Sequence, residues 1–142
     1  MADWRDELGA LFSRAGEQQE HEPESEIGRF MAAVVLPAFA DVARELERHG
    51  RQVTVRPAAT SASLLVAHAG EEELTYRVQG RMFPGGILPY AEVRYRERKG
   101  LRLLRTESMF RSGAADYKLA DVTSADVIRN FLDHYKRLVL AD

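Results

Sequence analysis

The stretch YAEVRYRERKGLRLLRT, Tyr90 to Thr106, decides the fold class. Its first half alternates Ala91, Val93 and Tyr95 with Glu92, Arg94 and Arg96. That two-residue period belongs to a strand with one face inward and one in solvent. Arg98-Lys99-Gly100 interrupts the alternation, and Leu101 to Thr106 resumes it. A three-residue hairpin loop ends on a left-handed residue, which Gly100 supplies. Such a loop pairs Tyr95 with Leu103 on one face and Arg96 with Arg102 on the other. A connection this short makes the pair antiparallel.

Upstream the same period recurs. Gln52 to Arg56 alternates through Val53 and Val55, and Ser63 to Ala69 carries Leu64-Leu65-Val66, apolar on both faces, as a central strand would. Gly70-Glu71-Glu72 turns the chain into a strand of Leu74, Tyr76 and Val78. Five strands joined by short loops make an antiparallel meander. Met82 to Tyr90 has no period and contains Pro84, Gly85, Gly86 and Pro89, so it reads as an apolar loop between strands.

Helical periods flank the strands. Ile27, Phe30, Met31, Val34, Val35, Ala38, Phe39, Val42 and Leu46 recur every 3.6 residues from Ser25 to Arg48, with a kink expected at Pro37 and a stop at Gly50. At the other end Thr123 and Asp126 form an acidic capping box. Val127, Ile128, Phe131, Leu132, Tyr135, Leu138 and Val139 then line one helical face. A shorter helix is expected over Asp3–Ala15, its Trp4 docked on a neighbour, followed by a mobile acidic linker over Glu17–Ser25. The expectation is one α+β domain over 1–142: two N-terminal helices, a five-stranded antiparallel meander and a long C-terminal helix packed on the sheet. Residues 1–24 form its N-terminal helix and linker.

A chain of 142 residues is the usual size of one domain. It has no cysteine, which excludes disulfides, thiolate ligands and cysteine nucleophiles and fits a cytoplasmic setting. The sequence has neither a basic, apolar leader nor a membrane-spanning run. Net charge is -2, unevenly spread: residues 1–50 hold 5 basic and 11 acidic side chains, residues 51–112 hold 11 and 6, residues 113–142 hold 4 and 5. Such asymmetry bears on partners, not on fold.

Catalytic patterns are missing. His21, His49, His68 and His134 have no metal-ligand spacing, Ser61 and Ser63 lie in no nucleophile elbow, and Glu71-Glu72-Glu73 reads as a solvated turn. Gly85-Gly86 leads into a strand, without the lysine and helix of a phosphate loop. The expectation is therefore no catalytic residue, no metal and no cofactor. Two candidate surfaces remain. Met82, Phe83, Ile87, Leu88 and Tyr90 either fold over the core or form an apolar rim for a partner. Arg94, Arg96, Arg98, Lys99 and Arg102 are the candidate anion-binding set, with Arg81, Arg105 and Arg111 near in sequence.

Three readings follow. The order of elements is similar to that of chaperones that bind secretion effectors, which implies a non-enzymatic adaptor or protein-interaction module, here a homodimer. A meander around a long C-terminal helix also resembles helix-grip folds, which implies a carrier of a small apolar ligand. The arginines suggest binding of nucleic acid or another polyanion through Arg94, Arg96 and Arg102. A pI near 6.1 disfavours nucleic acid, and the arginines are expected to be neutralised by Glu92, Glu97 and Glu107 or by the five glutamates of Glu17–Glu26. A second copy and a protein partner stand first; a membrane is not expected.

Overall fold

A computed structural model describes residues 4–8, 23–84, 86–96, 103–110 and 117–140, with the side chains of 23–25 left out. One helical run, α1, joins an α-helix Pro23–Phe30, a π-helical turn Met31–Val35 and an α-helix Leu36–Arg48. Five strands follow: β1 (Gln52–Pro57), β2 (Ser61–His68), β3 (Glu71–Phe83), β4 (Gly86–Arg96) and β5 (Leu103–Met109). A 3-10 turn Leu119–Asp121 leads into α2 (Ser124–Leu140). The strands lie in the order β1-β2-β3-β4-β5, every pair antiparallel. This is the α+β meander the periodicities predict. No described helix is long and apolar enough to cross a membrane.

The kink expected at Pro37 takes the form of the π turn. Proline has no N–H for the carbonyl four residues back, so the helix widens just ahead of it. The Leu36 N–H bonds to the Met31 carbonyl, five residues back. The Ser124 hydroxyl donates to the Val34 carbonyl at 2.7 Å and ties the start of α2 to this turn. The capping box of α2 is in place: the Thr123 N–H reaches Asp126 Oδ2 at 3.0 Å, and the Asp126 N–H reaches Thr123 Oγ1 at 3.2 Å.

Both helices cover the same sheet face. Ile27, Phe30, Val35 and Phe39 of α1 and Val127, Phe131 and Tyr135 of α2 meet Leu64, Val66, Leu74, Tyr76, Val78, Ala91 and Val93. An aromatic chain runs through this core. Tyr76 meets Phe39 and Phe131 edge-on at 5.9 and 5.4 Å, and Phe131 stacks on Tyr135 at 5.5 Å. The polar ends find partners: the Tyr76 hydroxyl donates to Asn130 Oδ1 at 2.7 Å, and the Tyr135 hydroxyl donates to Glu73 Oε1 at 2.8 Å while accepting from Arg51 Nε at 3.1 Å. Burial drives the Tyr76 hydroxyl well above its ordinary pKa, which keeps it protonated and able to donate.

Several expectations change. Residues 82–90 are not a loop: β3 and β4 continue past their neighbours as a two-stranded arm that reverses between Phe83 and Gly86. Pro89 is tolerated because β5 ends at Met109, opposite Tyr90, so no strand lies beside Pro89 on that side. Its carbonyl instead accepts from the Tyr117 hydroxyl at 2.6 Å. On the arm's inner side Gly80 is required, since a Cβ there would stand 2.7 Å from Ile27 Cδ1 and 2.8 Å from Ile87 Cγ2.

The second change is the β4–β5 register. Tyr95 pairs with Leu104, not Leu103, and Arg96 with Leu103, not Arg102. Arg94 and Arg105 thereby face each other across the strands. Third, the β2–β3 turn is Ala69-Gly70, both with positive φ (54° and 82°), and the sheet bulges between Val66 and Ala67. A two-residue turn of this hand matches the twist of the strands it joins. Finally, Trp4 does not dock: it is 62% exposed, with the Arg5 guanidinium 5.2 Å from its ring. Of the helix expected over Asp3–Ala15, residues 4–8 are helical and the rest lies outside the described residues. Of the linker expected over Glu17–Ser25, residues 23–25 are instead the first turn of α1, and the rest lies outside the described residues.

Candidate functional site: the open face of the sheet

With both helices on one side, every second residue of the meander points to the other. The register arranges these residues in rows across the strands. One row runs Arg56, Ser63, Arg77, Glu92, Glu107; the next runs Thr54, Leu65, Thr75, Arg94, Arg105; a third runs Ser61, Gln79, Tyr90, Met109. Arg96 pairs with Leu103 at one end and Arg81 with Leu88 at the other. Among described residues this face carries six arginines (56, 77, 81, 94, 96, 105) against Glu72, Glu92 and Glu107, a formal excess of three positive charges.

Glu92 is the anchor of the face. It stands only 4% exposed beneath the side chains around it. Arg94 Nε donates to its Oε1 at 2.7 Å, and Arg105 Nη2 and Gln79 Nε2 donate to its Oε2 at 2.8 and 3.3 Å. Burial alone would raise its pKa, but the Arg94 hydrogen bond and the charges of Arg105 and Arg94 outweigh it and hold the carboxyl below its ordinary value. One buried carboxylate thus fixes two guanidinium groups at one spot. Each guanidinium has five N–H donors and uses few of them here.

A second clamp lies beside the first. The Arg81 guanidinium passes over the Tyr90 ring, 4.6 Å from its centroid, and Nη2 reaches both oxygens of Glu107 at 3.0 Å. Arg77 Nη2 donates to Ser61 Oγ at 3.2 Å. Arg56 and Arg96 are exposed and make no ion pair with a described carboxylate.

The candidate sets divide accordingly. Arg94 and Arg96 share the open face, whereas Arg98, Lys99 and Arg102 lie outside the described residues, as do Glu97 and Arg111. Glu92 and Glu107 do pair with arginines of the face. Of the acidic stretch Glu17–Glu26, only Glu26 has a described side chain, and it is exposed. In the apolar set, Ile87 is buried in the core and Tyr90 is covered by Arg81; Leu88 is half-buried, and Met82 and Phe83 are exposed on the arm.

Arg56, Arg77 and the anchoring position of Glu92 are absent from the sequence candidates. Their signal is the polar series Thr75, Arg77, Gln79, Arg81, which alternates with Leu74, Tyr76 and Val78. Among the described residues no group of three or more His, Asp or Glu side chains is placed to hold a metal ion. Comparison with protein-family models, with curated proteins and with solved structures finds no match.

Proposed function

We propose that this chain is a non-enzymatic protein-interaction module, adaptor- or chaperone-like, that holds acidic segments of a partner on its open sheet face. The observation that carries the reading is the arginine excess on a face no described helix covers, with Arg94 and Arg105 fixed by buried Glu92. Donors already held in place lose less conformational freedom when a carboxylate arrives. Arginine also suits carboxylates through its planar fork.

Two features favour an acidic protein over nucleic acid. Tyr90 is the one aromatic ring in the three rows, and Arg81 covers it. Phe83, on the same side but out on the arm, is a single ring away from the clustered arginines, so the described face offers no series of rings for bases to stack on. The chain is also net negative, with residues 1–50 contributing -6, which opposes a polyanion that extends beyond the face. The acidic probe that tests the reading is therefore a short poly-glutamate no longer than the face. The carrier reading is disfavoured because Phe39, Tyr76 and Phe131 fill the interval between helices and sheet. Self-association belongs to the same proposal, since Met82, Leu103 and Met109 stand at 50, 63 and 40% exposure. The absence of cysteine fits a cytoplasmic place of work.

The test is a titration with labelled poly-glutamate and with a single-stranded oligonucleotide at low salt. The chain should bind poly-glutamate, release it as salt rises, and lose about tenfold in affinity on Arg56→Glu/Arg77→Glu/Arg96→Glu. Those three arginines make no described carboxylate pair, but Arg77→Glu gives up the bond to Ser61 and faces Glu92. The variant should therefore melt lower while remaining folded at the temperature of the titration, as circular dichroism checks. No binding, or binding unchanged in the variant, rejects the reading. Preference for the oligonucleotide would replace it with nucleic-acid binding.

A further inference from the structure

β5 is one edge of the sheet, and no strand pairs with its outer side among the described residues. Edge strands are commonly protected by proline, lysine or a bulge. β5 contains no proline and no lysine, and its pairing with β4 is regular over all seven residues. Leu103 and Met109, at its two ends, rank among the large exposed apolar side chains. Between them Arg105 and Glu107 are exposed on the same face.

This order of side chains complements itself. Two copies of β5 laid antiparallel with a two-fold axis at Thr106 set Leu103 opposite Met109 of the partner subunit. They also set Arg105 opposite Glu107 of the partner subunit, and the symmetry repeats both pairs. Shifting the register by two residues, which moves the axis to Arg105 or to Glu107, would set that residue opposite its own copy, and like charges directly opposite repel. A register shift of one residue, with the axis falling between two residues, would turn the two open faces to opposite sides. Only the Thr106 axis matches charge with charge and apolar with apolar. Arg105 has donors beyond the one that reaches Glu92, and a carboxylate such as Glu107 accepts more than the bonds from Arg81.

We infer that the chain forms a two-fold dimer by antiparallel pairing of β5 with β5 about Thr106, giving a continuous ten-stranded sheet. Both helical layers then lie on one side, and the two arginine faces join on the other. The inference deepens the self-association proposed above and does not depend on the acidic ligand.

The absence of cysteine makes a direct probe available. Thr106 is exposed and sits on the proposed axis. Directly opposed residues of an antiparallel pair have Cα atoms about 4.5–5.5 Å apart, within disulfide reach. Thr106→Cys should therefore cross-link to a dimer under mild oxidation, whereas Ser108→Cys, which meets Leu104 of the partner subunit, should not. In sedimentation velocity the unaltered chain should run as a dimer of the 16.0 kDa protomer. Leu103→Lys should weaken dimerisation at least about tenfold, and Leu103→Lys/Met109→Glu should restore it by pairing opposite charges in this register. A monomer at micromolar concentration, equal cross-linking at the two cysteine sites, or no rescue by the double variant overturns the proposal. Poly-glutamate binding by Leu103→Lys, measured alongside, tells failure of the dimer from failure of the acidic-ligand reading.

Discussion

The two faces of the sheet are built from the same strands, and they satisfy their polar atoms by opposite means. On the helix side the Tyr76 hydroxyl has Asn130 as its partner, the Tyr135 hydroxyl is held between Glu73 and Arg51, and the rest of the core around these rings is apolar. On the open side polar and charged groups outnumber apolar ones, and one buried glutamate binds two arginines and a glutamine. The first arrangement has donors and acceptors matched and little left to offer a ligand. The second leaves a surplus of guanidinium donors facing water. Stability therefore belongs to the first face, and the binding proposed for this chain would draw on the second.

The largest effect expected from breaking this contrast is in the core. Phe131 contacts both Tyr76 and Tyr135 and is 2% exposed, so Phe131→Ala should cost about 3–5 kcal/mol in urea unfolding by opening a cavity. A loss below ~1 kcal/mol would mean that the aromatic chain does not hold α2 to the sheet.

Glu92→Gln comes next. It removes the charge that Arg94 and Arg105 share and sets an amide donor against their N–H groups, so a loss of about 1–2 kcal/mol is expected, moderated by the exposure of both arginines. The same residue has a pH signature. Because its folded pKa lies below the ordinary 4.5, its stabilisation is complete above that value and is lost as pH falls through the lowered one. His134 adds an earlier decline. Burial and the nearby charge of Arg137 hold it below 6.5, so the unfolded chain takes up its proton first, and stability falls as pH drops below 6.5. Melting temperatures between neutral and acid pH should fall in both stages, and Glu92→Gln should flatten only the lower one.

The smallest effect sits in the turn between β2 and β3. Ala69 holds φ at 54°, a conformation that asparagine adopts more readily than alanine. Ala69→Asn should raise stability by about 0.5–1 kcal/mol, read as a higher melting temperature with ligand binding unchanged.

The same contrast governs what could be read in advance. Val93, Tyr76, Phe131 and Phe39 announce the covered face because apolar residues repeat with the period of their element, and periodicity needs no knowledge of neighbours. Thr123 and Asp126 announce the start of α2 because capping is local. The open face is a product of register. Arg56, Arg77 and Glu92 come together only because β1 to β4 pair as they do, and a one-residue error at the β4–β5 hairpin is enough to misassign the partners of Arg94 and Arg96. The arm was hidden for another reason. Two prolines and two glycines between Met82 and Tyr90 look like a loop until β5 is seen to end beside Pro89, where a missing N–H costs nothing.

If this chain holds an acidic partner as proposed, the open face receives it and the helical side does not. Amide chemical-shift mapping during titration with poly-glutamate tests this placement residue by residue. Shifts should concentrate at Arg77, Arg94, Arg96 and Arg105 and their neighbours along β3 to β5, with the amides of α2 unmoved. Shifts confined to α1 and α2, or none at concentrations where Arg56→Glu/Arg77→Glu/Arg96→Glu behaves like the unaltered chain, would contradict it.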